Sequence, residues 1–129
     1  TETKSLELQL NQVVHYCDHM YKISLTEQIS FARNKGNTEY ANWSILKHMK
    51  IELRLWESGD SFQPLGMTGH QKVSDFLINQ KVDRFAKENQ TVMTANGQIF
   101  WVCSHRISDW VKITVDTTEK VKLNCLSLN

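Results

Sequence analysis

The chain has 129 residues, 15 Lys and Arg against 14 Asp and Glu, and a formal net charge of +1. That length suits one domain, or two small subdomains sharing a core, and the near-neutral balance excludes a polyanion-binding field spread over the whole surface. No apolar run is long enough to span a bilayer and no signal-like segment opens the chain, so no membrane partner is expected; the opening Thr suits a fragment of something longer.

Leu6, Leu8 and Leu10 alternate with polar residues, the mark of a half-buried strand that Val13 and Val14 extend. Tyr21, Ile23 and Leu25 alternate in the same way, and the two segments are expected to pair as a hairpin. Between them, His15, Cys17 and His19 would share one face of a strand, since side chains repeat every second residue. These are metal-ligand types, but without a fourth partner a turn with solvated histidines is the favoured reading, and no metal is expected. Cys17, Cys103 and Cys125 are odd in number and lack a C-x-x-C pair, which argues against a disulfide framework and for a reducing cytoplasm. Residues 33–38, with Arg33, Lys35 and Gly36, read as an exposed polar loop. Trp43 and Ile45 open another alternation. Ile51, Leu53 and Leu55 then form a stronger strand, with Arg54 on the opposite face beside Trp56.

That strand runs into a loop holding Gly59, Gly66, Gly69 and the sole Pro, Pro64. The glycines allow backbone angles or close approaches that a Cβ forbids, and Pro64 fixes φ between them. Thr68 with Gln71 has capping-box spacing, and Val73, Phe76 and Leu77 follow at the spacing of a buried helical face. Free N–H groups at that helix start would suit a phosphate, with His70 and Lys72 as side-chain donors beside them. Val82, Phe85 and Ala86 suggest a second short helix with Asp83 at its start, surrounded by Lys81, Arg84 and Lys87.

Val92 and Met93 begin a strand, Asn96-Gly97 turns it, and the unbroken apolar run Ile99–Cys103 is expected to be a central strand buried on both sides. Val111, Ile113 and Val115 alternate next. Val121, Leu123 and Cys125 do so near the end. The expected architecture is α+β, mainly antiparallel sandwich-like sheets with a short helical pair around 69–89, in a single domain over 1–129.

Catalysis is not advertised. Cys103, His105 and Asp109 have nucleophile, base and orienter types, but Cys103 lies in the most apolar segment, where a structural thiol is expected. No nucleotide-binding glycine motif occurs.

From Arg54 to Phe76 the sequence resembles the C-terminal region of bacterial tRNA(Ile)-lysidine synthetases, through Arg54, Gly59, Asp60, Pro64, Gly66, Met67, Gly69, Lys72 and Asp75-Phe76. The likeness continues through Lys81-Val82, Ile99–Val102, Arg106-Ile107 and Lys112–Thr114 to a closing strand at 120–126. It covers about 50–126, with 1–49 as a preceding strand-rich part. The chain departs from the family pattern at Gln71, where a second basic residue is usual, and at Ser104 and Trp110, where Gly and Arg are. The resemblance implies part of a cytoplasmic ligase that uses ATP to attach lysine to the wobble cytidine of an isoleucine tRNA. In that family the ATP and lysine chemistry lies in an N-terminal domain with a Ser-Gly-Gly-x-Asp-Ser loop, absent from this chain. This stretch would then carry no catalytic residue and no cofactor, and would meet the tRNA acceptor stem and its own catalytic domain.

On that basis Arg54, His70, Lys72, Lys81, Arg84, Arg106 and Lys112 are the candidate tRNA contacts, and Gly59, Asp60, Pro64, Gly66 and Gly69 a structural loop. The alternative is a domain that packs on the catalytic module or forms a homodimer face. Trp43, Trp56 and Trp110, if exposed together, would favour it.

Overall fold

The computed structural model describes residues 4–30 and 37–128, so the polar loop expected around Arg33, Lys35 and Gly36 lies mostly outside the described residues. In chain order the first elements are β1 (Leu6–Glu7), β2 (Val13–Tyr16), β3 (His19–Thr26), β4 (Thr38–Asn42), helix α1 (Trp43–Leu46) and β5 (Ile51–Leu55). After these come β6 (Ser61–Phe62), β7 (Gln71–Lys72), α2 (Val73–Asn79), α3 (Arg84–Glu88), β8 (Thr91–Ala95) and β9 (Gln98–Val102). The last are β10 (Arg106–Ile107), a 3₁₀ turn at Asp109–Val111, and β11 (Lys120–Ser127).

The strands form two main antiparallel sheets, ordered β1-β5-β8-β9-β10 and β2-β3-β11-β4, with β6 and β7 as a small separate ladder. This is the expected α+β class. The sheets face one another across a core of Tyr21, Ile23, Leu53, Met93, Trp101 and Leu123, among others. A second cluster lies on the other side of the five-stranded sheet, where Val73, Phe76 and Leu77 of α2 pack on Val92, Ile99 and Val102. The run Ile99–Cys103 therefore feeds both clusters, which is why it shows no alternation. Asn96 and Gly97, at φ 49° and 86°, supply the left-handed pair that the β8–β9 turn requires.

Several local expectations fail, each for a traceable reason. Leu6–Glu7 pairs with β5 in the five-stranded sheet rather than with Tyr21–Leu25. Only Val13–Tyr16 makes the hairpin with β3. Cys17 does not share a strand face with His15 and His19, because Cys17 and Asp18 form the hairpin turn at φ 49° and 63°. Trp43–Leu46 is a helical turn capped by Asn42, whose side chain accepts the Ser44 N–H at 3.0 Å. The Val111–Val115 alternation does not produce a strand: the 3₁₀ turn precedes an irregular stretch, and Val115 is fully exposed.

The helix expected to start at Thr68–Gln71 begins later. Gln71 and Lys72 pair with Phe62 and Ser61, and Lys72 stands at the N-cap of α2 with no side-chain capping bond. α3 does begin after Asp83, whose carboxylate accepts the Ala86 N–H at 2.8 Å, but it contributes no buried residue and leaves Phe85 77% exposed.

Candidate nucleic-acid interface

The loop from Glu57 to Lys72 is organised by Asp60. Its carboxylate accepts both Arg54 terminal nitrogens, at 2.9 and 3.0 Å, and the Glu57 N–H at 2.7 Å. Its backbone carbonyl accepts the N–H of Val73, the first residue of α2, at 2.9 Å. One side chain thus ties the end of β5 to the loop and the loop to the helix. The fork is a bidentate, charge-assisted pair, and the hydrogen bonds Arg54 donates to Asp60 raise its pKa above the ordinary value.

Two glycines have conformational reasons to be here. Gly59 and Gly66, at φ 96° and 85°, each occupy the third position of a turn closed by a backbone bond, Asp60 N to Glu57 O and Met67 N to Pro64 O, both 3.0 Å. Gly69 has neither a positive φ nor a near neighbour, so the expected need for a missing Cβ does not apply there. The second turn is stitched to the segment after β9: Leu65 N–H donates to Ile107 at 3.0 Å, Asp109 N–H to Gln63 at 2.8 Å, and Gly66 N–H to the Asp109 carboxylate at 3.1 Å. The Gly66 N–H, with Lys112 at 3.2 Å, holds Asp109 below the usual carboxylate range.

Around this frame the seven basic candidates divide. Lys72, Arg106, Lys81 and Arg84 follow α2 from its start to beyond its end. Lys72 is the N-cap, Arg106 lies 5.5 Å above the ring of Phe76, Lys81 follows the last turn, and Arg84 opens α3. Lys72, Lys81 and Arg84 are exposed, and among the described residues their ammonium and guanidinium groups form no ion pair. Arg54 is half-buried in its pair with Asp60, and with exposed His70 it borders a polar groove of about 560 Å³. Lys112 stands apart, paired to Asp109.

A second group of cations was not anticipated. On the four-stranded sheet the buried positions Tyr21, Ile23, Val121, Leu123 and Cys125 leave Lys22, Lys120 and Lys122 on the outer face. Tyr40 pairs with Lys122 and His15 with Met20 on the same face, and no carboxylate stands among these outward strand positions. The alternation at 120–125 shows which way the lysines point, but no local signal places β11 between β3 and β4.

Cys103, His105 and Asp109 each stand in a distinct setting. Burial pushes the Cys103 thiol well up and the His105 imidazole down, while Asp109 is engaged by Gly66 and Lys112. A thiol held protonated is a poor nucleophile. Nor do the three tryptophans form one patch. Trp56 packs with the α2 cluster and donates to the Lys87 carbonyl at 2.7 Å, while Trp43 and Trp110 pack on the core between the sheets.

Ser104 sits at φ 68°, in the left-handed region, where the family pattern has Gly. Ser104→Gly is expected to raise stability by about 0.5–1 kcal/mol, the relief of the Cβ clash exceeding the extra freedom of the unfolded chain. A thermal melt with an unchanged or lowered midpoint would show that the 3.2 Å contact from the Ser104 hydroxyl to Cys125 Sγ matters more than the backbone.

Known proteins agree with this architecture. A solved structure described as a TilS C-terminal domain matches with a TM-score of 0.85 over 99% of each chain, at 15% identity, a likeness of fold. A tRNA(Ile)-lysidine synthase of Bacteroides thetaiotaomicron is 38% identical over 72 residues, 56% of this chain and 17% of that protein. One of Parabacteroides distasonis is 30% identical over 105 residues, 81% of this chain and 24% of that protein. The chain thus spans about a fifth of the length of these relatives. The family model for the TilS substrate C-terminal domain matches residues 51–123, more than half of the sequence, and the chain belongs to that family.

Proposed function

We propose that this chain is the tRNA-binding part of a tRNA(Ile)-lysidine synthetase, acting as one unit over its 129 residues in the cytoplasm. The observation that carries the reading is the row Lys72, Arg106, Lys81 and Arg84 along α2: Lys72, Lys81 and Arg84 are exposed, Arg106 is half-buried over Phe76, and none is neutralised by an ion pair among the described residues. Phosphate contacts position a nucleic acid without reading its sequence, and an A-form stem is recognised through shape and backbone. Four cations spaced along a short helix suit that task, with Arg54 and Asp60 holding the loop that positions them. ATP and lysine are assigned to a catalytic domain with a Ser-Gly-Gly-x-Asp-Ser loop, a motif this sequence does not contain.

Lys72→Ala is expected to weaken binding of an acceptor-stem minihelix and to make the plot of log affinity against log salt shallower by about one unit. Titration at several salt concentrations measures both. A slope equal to that of the parent would remove Lys72 from the contact surface.

A second reading is favoured by the outer face of the four-stranded sheet, where Met20 pairs with Leu126 and Val13 stands opposite Lys22. An apolar margin on a basic sheet suits packing against the catalytic domain or a second copy. Neutralising Lys22, Lys120 and Lys122 together should then leave minihelix binding unchanged.

A further inference from the structure

A cleft of about 450 Å³ lies between the β2–β3 turn and the link from α2 to α3. None of its lining belongs to the Asp60 loop. Its floor is apolar and buried, made by Tyr21, Cys103 and Cys125. Phe85, among the most exposed large apolar side chains described, stands at its edge on a helix that buries nothing in the core. Such a ring is costly to leave in water and has no structural task visible in its surroundings.

The rim of the cleft is polar and can satisfy hydrogen bonds. His19 Nδ1 lies 3.0 Å from the Cys17 carbonyl and donates to it, which leaves Nε2 for a second partner. His105 and Asn89 line the same cavity. Lys81, one of the exposed cations of the α2 row, borders it too, so a strand whose backbone follows that row reaches the cleft at its end. Four non-glycine residues held at positive φ, Cys17, Asp18, Lys81 and Ser104, also line it. Two of them, Cys17 and Asp18, form the β2–β3 turn that makes one wall of the cleft.

We propose that this cleft receives an unpaired nucleobase of the bound RNA, with Phe85 as its stacking surface and Lys81 on the adjoining phosphate. The proposal rests on the RNA-binding reading above. A flat apolar ring with a polar edge needs a stacking partner, a dry floor and a few donors and acceptors at the rim, and a lone phosphate or a continuous duplex would use none of these. The cleft volume is within the range that holds a small ligand.

The test compares two RNA minihelices that differ only in a four-nucleotide single-stranded 3′ extension, titrated against the 129-residue chain and its Phe85→Ala and Phe85→Trp variants. The extension is expected to tighten binding by about 5- to 150-fold, the range for stacking one base on an aromatic side chain. Phe85→Ala should abolish that gain while leaving the blunt minihelix unaffected, and Phe85→Trp should keep it. Because Phe85 is 77% exposed, neither change threatens the fold. A gain that survives Phe85→Ala overturns the cleft while leaving the RNA-binding reading intact. Failure of the parent chain to bind either minihelix overturns both.

Discussion

Replacing Asp60 by Ala is expected to cost about 2–3 kcal/mol of stability, although the residue is not in either hydrophobic cluster. The carboxylate holds three donors at once, two from Arg54 and one from the Glu57 backbone. Removing it leaves the Arg54 guanidinium, whose side chain is only 19% exposed, without its counter-charge. A fully buried pair broken in this way would cost more; partial access to water lowers the figure here. Asp60→Asn keeps an acceptor and should fall between parent and Ala. Urea unfolding gives the comparison directly. If Asp60→Ala unfolds within 0.5 kcal/mol of the parent, on the order of an ordinary surface substitution, the loop is not held by this pair. The same variant should bind RNA more weakly than its lost charge suggests, since removing a negative group would otherwise favour a polyanion.

Phe76→Ala should cost still more, about 3–5 kcal/mol, the usual range for truncating a buried aromatic. Phe76 and Phe62 stand edge to face with ring centroids 5.1 Å apart, and Arg106 at 5.5 Å and His105 at 6.2 Å also contact the Phe76 ring. It joins the β6–β7 ladder, the helix and the segment after β9. Its loss therefore removes packing and the platform that positions one of the proposed contact cations. Ile78→Ala, two positions on but 61% exposed, is the internal control and should change the midpoint little. Equal losses at the two positions would mean that α2 is not docked as described. Phe76→Leu retains most of the buried area but not the cation–π contact, so it separates stability from the placement of Arg106.

What could be read from the residues depended on how far each decision reached along the chain. Asn96-Gly97, the run Ile99–Cys103 and the alternation at Val121, Leu123 and Cys125 are decided locally, and their structures follow the expectation. At the start of α2, Thr68 and Gln71 have capping types at the right spacing, yet Gln71 and Lys72 are drawn into pairing with Phe62 and Ser61 and the helix begins after them. Strand pairing across a loop outweighed a local capping signal there. Leu6 alternates as though for a hairpin, but its choice of β5 depends on a strand more than forty residues away. α1, with its four residues, is too short to show a helical period. The basic residues near α2 were visible as candidates. The opposite face, with Lys22 and Lys122 separated by 100 positions of sequence, was not. The cleft at Phe85 was hidden for a related reason: the residues mark a short helix there, and only the packing shows that Phe85 is left exposed on it.

The position of β11 also bears on how the molecule is made. It lies between β3 and β4, pairing eight residues with one and five with the other. During synthesis, the β2–β3 hairpin can close as soon as it emerges, but β4 has no neighbour until residues 120–124 leave the ribosome. The four-stranded layer, and the core it shares with the other sheet, must therefore wait for β11. Contacts so distant along the chain make for slow closure. Until then, β3 and β4 present open edges that a neighbouring nascent chain could occupy, so crowding of polysomes is the condition under which this fold is most exposed to misassembly.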